Sequence, residues 1–117
     1  MPPSDEADAR IMRYAEAASV HGKASADGDS KRANAAHDVI AGIYRELRAE
    51  GTQERLLPLL SHGDPAVVTW AGAHALEFTP AEGERVLEQI ARDGPGIFGF
   101  DAQQTLAVWR EGKLSFP

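Results

Sequence analysis

The architecture of this chain is set in residues 56–76, which read LLPLLSHGDPAVVTWAGAHAL. A leucine-rich segment that contains Pro58 leads into the turn Ser61–Gly63. Asp64 then precedes Pro65, the order that an N-cap and a first helical residue require. The apolar residues that follow lie nearly all round the helix, which predicts a helix packed on more than one side.

Two helices are predicted upstream of this segment. Ser4 begins an acidic cap, and the apolar residues after it are spaced by three and four. The turn Asp27–Ser30 begins the second helix, which Gly51 ends. Thr52 then caps a shorter leucine-rich helix.

Two more helices are predicted downstream. Thr79–Glu82 has the pattern of a capping box with proline at the first helical position. Asp101, with Gln104 three residues on, indicates the cap of a last helix that Gly112 ends. About six helices with short links predict an all-α fold of three antiparallel hairpins stacked as an α-solenoid. We expect a single domain over residues 1–117, with a first hairpin at 4–50 and further hairpins at 52–112.

Residues 56–76 resemble a HEAT repeat, in which a leucine-rich helix, an Asp-Pro link, a valine and then small residues and leucine follow one another. Taken whole, the chain resembles a bacterial family catalogued as domain of unknown function 2019, whose members are HEAT-like helical proteins. The similar segments are RYAEAASVHGKA at 13–24, IYREL at 43–47, WAGAHALEFTP at 70–80 and FDAQQTLAVW at 100–109. The resemblance implies a right-handed α-α superhelix and carries no activity, cofactor or catalytic residue.

Composition excludes several functions. The net charge of -6 and the absence of a basic cluster argue against nucleic acid as a partner. No run approaches 18 apolar residues, so no membrane span is predicted. Without cysteine the chain has no disulfide or zinc-thiolate site, and without a recognisable leader the expected location is the cytoplasm.

The four histidines are the candidates for chemistry. His37 and His74 fall on the apolar faces of helices expected to be neighbours, which predicts two core histidines that face each other. The alternative is a histidine-based enzyme or a metal site, although no H-E-x-x-H pattern and no third ligand accompany them. Gly94–Gly99 has the spacing G-x-G-x-x-G but lacks the strand that a dinucleotide site requires. We therefore predict neither catalysis nor a cofactor.

Surface recognition is the remaining function. We predict a non-catalytic protein-protein interaction module, a small scaffold or adaptor whose partner is another protein or a second copy of itself. The acidic charge suits a basic partner, so an immunity-type inhibitor of a basic toxin is the alternative. The predicted partner-binding residues are Trp70, Phe98, Phe100, Arg45 and Gln103. Two of these predictions have alternatives: Trp70 packs against the second helix, and Ile97, Phe98 and Phe100 tuck under the last helix.

Overall fold

The computed structural model describes residues 3–116, with side chains from residue 6 onward. The described residues are all-helical, which confirms the predicted fold class, and no strand occurs among them. Their helices are α1 (Pro3–Ala26), α2 (Ser30–Glu50), the 3-10 helix η1 (Gln53–Ser61), α3 (Pro65–Phe78), α4 (Pro80–Asp93) and α5 (Ile97–Arg110).

The chain divides into two compact units, with the boundary between Arg55 and Leu56. Within the first unit α1 packs against α2, and within the second α3 packs against both α4 and α5, which also pack together. The predicted single domain and its superhelical stacking stay predictions.

The helix boundaries follow local backbone chemistry. Asp29 accepts a hydrogen bond from the Arg32 backbone N–H at 3.1 Å and begins α2, while Asp64 accepts one from the Ala66 N–H at 2.9 Å and begins α3. Gly51 ends α2 with a φ of 71°, a conformation that favours glycine. These predicted boundaries are therefore confirmed.

Of the remaining predicted caps, Thr79 is correct in position, Asp101 is wrong, and Ser4 lies outside the described side chains. Thr79 precedes α4 but its side chain makes no capping hydrogen bond, and α5 begins at Ile97, four residues before Asp101. Gly96, with a φ of 56°, stands at the N-cap position of α5 and has no side chain that could form a capping hydrogen bond. The cap predicted at Ser4 depends on side chains outside the described ones.

The first unit is held by a core of tyrosine and aliphatic side chains. Tyr14 on α1 and Tyr44 on α2 are both almost wholly buried, and the Tyr44 hydroxyl accepts a hydrogen bond from Gln53 Nε2 at 2.9 Å. At the edge of the same pair of helices, the Arg10 guanidinium binds both Glu50 carboxylate oxygens, at 2.7 and 3.0 Å. These hydrogen bonds lower the pKa of Glu50.

Burial gives Tyr14 a testable effect on stability. Burial, and to a smaller extent the neighbouring Tyr44, raise the pKa of Tyr14 well above its ordinary value of 10.0. Above about pH 10 the unfolded chain releases this proton and the folded chain keeps it, so raising the pH favours unfolding. We expect the Tyr14 contribution to the alkaline loss of stability to approach about 1.4 kcal/mol per pH unit.

Thermal melts of the wild type and Tyr14→Phe between pH 8 and 11 measure this contribution. The comparison rests on the slope with pH, because the substitution also removes the hydroxyl's interactions at neutral pH. A shallower alkaline slope in Tyr14→Phe is the expected result. Identical slopes would show that the Tyr14 hydroxyl ionises as readily in the folded chain as in the unfolded one.

The second unit is built around α3. Every residue from Ala71 to Leu76 is buried, which confirms the prediction of a helix packed on more than one side. Leu76 joins a cluster with Leu87 and Ile90 of α4 and Leu106 of α5. The pairing of α3 with both later helices therefore fixes where the outer face of α5 lies.

Candidate functional site

Helix α5 has one buried and one exposed apolar face. Its buried face consists of Gly99, Ala102 and Leu106. On the opposite side Ile97 is 46 % exposed, Phe100 60 % and Val108 38 %. We call Ile97, Phe100, Gln104 and Val108 the α5 face. They are spaced by three, four and four residues, and therefore form one stripe about 17 Å long.

Small residues hold α5 close to α4. A Cβ atom on Gly99 would lie 3.3 Å from the Gly94 carbonyl oxygen and 3.4 Å from that of Ile90, so a larger residue would press on the backbone at the end of α4. Ala102 is fully buried nearby. This close approach turns the larger apolar side chains at positions 97, 100 and 108 outward.

Polar contacts at the other end of α5 fix its rotation. Gln103 Nε2 donates to the Ala91 carbonyl oxygen at 3.3 Å. The Arg110 guanidinium lies 3.0 Å from the Glu84 carboxylate and 3.2 Å from that of Glu88, both on α4. These contacts and the buried face hold the α5 face in its outward orientation.

The predicted partner-binding residues lie in different environments. Phe100 belongs to the exposed α5 face, but Phe98 is partly buried against the core cluster of the second unit, so the two phenylalanines are not alike. Gln103 is exposed and binds Ala91, and Trp70 is half-buried beside His74. Arg45 is exposed on α2, in the first unit.

The histidine prediction is correct for one residue and wrong for the other. His74 is 2 % exposed, and its ring centroid lies 4.6 Å from that of Phe116 and 5.8 Å from that of Trp70. His37 has a side chain that is 50 % exposed, and its Nδ1 lies 3.8 Å from the Asp38 carboxylate. Position 37 therefore lies just beyond the buried stripe of α2, and His37 is not a core histidine.

A metal site would require several histidine and carboxylate side chains close together in the part of the chain that the structure describes. Within it, no group of three or more histidine, aspartate and glutamate side chains is placed to hold an ion. His62 lies in a groove of about 300 Å³ beside Gln89 and Asp93. Its Nδ1 accepts a hydrogen bond from the Asp64 backbone N–H at 3.0 Å, so this nitrogen is engaged in forming the turn before α3.

Sequence reasoning missed two features of the second unit. Val108 was not recognised as a neighbour of Phe100, and Ile97 was placed with Phe100 only in the link before the helix, because α5 was expected to begin at Asp101. The segment after Gly112 was not assigned, yet Leu114 packs against the core cluster and Phe116 contacts His74. Their alternation with polar residues was the available signal.

Comparison with family models, curated proteins and solved structures finds no match to this chain. The resemblance to a HEAT-like family thus stays a prediction, and what defines the class of the protein is its own fold: an all-α chain with an exposed apolar helix face. Among the described residues no helix has both the length and the apolar character needed to cross a membrane.

Proposed function

We propose that this chain is a non-catalytic protein-protein interaction module and that the α5 face is its partner-binding surface. The observation that carries the proposal is the alignment of Ile97, Phe100 and Val108 on the outer side of a helix whose inner side is fully packed. Scattered exposed apolar residues are ordinary in folded proteins, but exposed apolar residues grouped on one helix face, interrupted here by Gln104, are typical of a binding surface.

The stripe has the properties of an interface centre. Phe100 offers a large aromatic side chain of the kind that contributes strongly where interfaces have hot spots. Burying it and its two aliphatic neighbours would gain roughly 25 cal/mol for each Å² removed from water. The alternative function, inhibition of a basic toxin, is supported by net charge alone and not by any feature of this stripe.

Site-specific cross-linking in cells tests the proposal. A photoreactive phenylalanine analogue at position 100 should form a covalent adduct with a protein partner, because Phe100 would lie at the centre of the interface. The matched control carries the same analogue at Leu57, an exposed apolar residue of the second unit that lies on η1. A discrete adduct from position 100 and none from position 57 is the expected result. Equal labelling from both positions, or none from either, would contradict the proposal.

A further inference from the structure

A second apolar surface lies on the first unit, between α1 and α2. It is a groove of about 330 Å³ whose lining residues recur every three or four positions on both helices. Buried Ala17 and Ala36 form its floor, and Val20 and Val39 contribute larger apolar groups. Val39 is 45 % exposed although it points into this apolar groove. A groove between two helices with a floor of alanine admits the side chains of a third helix.

The rim of the groove carries two arginines and one carboxylate, Glu16 of α1, and is therefore net positive. Arg13 of α1 and Arg32 of α2 both line it, and neither guanidinium forms an ion pair within the described part of the chain. Arg10, one turn away from Arg13, instead binds Glu46 and Glu50. In a chain with a net charge of -6, two unpaired arginines beside exposed apolar groups favour a segment that is apolar and acidic.

The same chain carries such a segment on α5. The exposed apolar side chains of the α5 face lie on the same helix as Asp101, and Glu111 follows at the C-terminal end of that helix. These two carboxylates are ten residues apart, or about 15 Å along a helix. Glu111 pairs with Lys113 at 3.5 Å. Both partners of this pair are exposed, so little stability is lost when Glu111 leaves Lys113 and pairs with an arginine of another molecule.

We propose that the α5 face of one copy of this chain docks into the α1–α2 groove of a second copy. This inference rests on the proposed function and names the partner. The apolar side chains of the α5 face would cover Val39 and the alanine floor, while Arg13 and Arg32 would approach the carboxylates at positions 101 and 111. Because the two surfaces differ, the contact is head-to-tail, and a single contact leaves one α5 face and one groove of the pair unoccupied.

Complementation between two full-length variants tests this arrangement. Phe100→Glu places a charge on the α5 face and leaves the groove intact. Val39→Glu places a charge in the groove and leaves the α5 face intact. We expect either substitution to weaken self-association by about tenfold or more, measured by sedimentation velocity over a range of concentrations. An equimolar mixture of the two should form a heterodimer that grows no further, because only one intact pair of surfaces remains. The two introduced glutamates repel, so the altered surfaces cannot pair with each other.

Two further measurements keep the test independent of variant folding. Leu57→Glu, on an exposed apolar residue outside both surfaces, should associate as the wild type does. Association of the wild type should weaken as salt rises from 50 to 500 mM, because exposed charges are screened. Self-association of Val39→Glu at wild-type strength, or a mixture that stays monomeric while the wild type associates, would overturn the head-to-tail contact. A wild type that is monomeric at every concentration would also overturn it, while a cross-link from position 100 to another protein would still support the proposed function.

Discussion

Replacing Gly83 by alanine is expected to lower the free energy of unfolding by about 2–3 kcal/mol and the melting temperature by roughly 10 °C. Gly83 lies in the first turns of α4, where that helix crosses α3. A Cβ atom there would lie 2.7 Å from the Leu76 backbone nitrogen and 2.9 Å from the Gly72 carbonyl oxygen. Both contacts are with backbone atoms of a helix, which cannot move away as a flexible side chain can. The two helices must therefore separate, and the core that they enclose loosens.

Gly42→Ala is the matched control. Gly42 lies inside α2, and the nearest atom to a Cβ placed there is the end of the Arg45 side chain, at 4.0 Å. With space available and a helical backbone, alanine should stabilise the protein by about 0.5–1 kcal/mol. Thermal and urea melts of the two variants measure both effects. A loss of stability in both, or in neither, would show that the distance between α3 and α4 does not determine the cost.

The importance of Gly83 was not evident from the sequence, although the helix containing it was. Periodicity predicts the buried positions Val86, Leu87 and Ile90 of α4, since a helix hides residues spaced by three and four. A glycine in the first turn of a helix has no such signature. Only the crossing of two helices reveals that their backbones approach closely at Gly83.

The candidate site was predicted only in part, because the residues on its exposed face depend on where α5 begins. Phe100 was recognised because an aromatic residue near a glycine-rich link stands out. Phe98 was grouped with it, although two positions along a helix turn a side chain by about 200°. Once α5 begins at Ile97, that rotation places Phe98 on the core side and Phe100 on the solvent side. The location of a helix start thus decided which phenylalanine is available to a partner. The sequence indicated that start wrongly because Gly96, which has no side chain, stands at the N-cap position of α5.

His74→Ala should lower the free energy of unfolding by about 2–4 kcal/mol, a larger effect than the one expected at His37. The imidazole is buried in the second unit with its ring against those of Phe116 and Trp70. No buried side-chain nitrogen or oxygen among the described residues is without a hydrogen-bond partner. Because the imidazole is buried, its truncation leaves a cavity. It also removes the surface on which the C-terminal segment packs.

His37→Ala is the control of the same residue type, because half of the His37 side chain is already exposed. It should change stability by no more than about 0.5 kcal/mol. His74→Phe retains an aromatic ring and should recover part of the loss, which separates packing from hydrogen bonding. If His74 is structural, cross-linking from position 100 and self-association should match the wild type in every histidine variant that is still folded at the assay temperature. A His74→Ala protein that melts like the wild type would remove the structural role and return the histidine-based enzyme to consideration, because a buried imidazole that adds nothing to stability calls for another function.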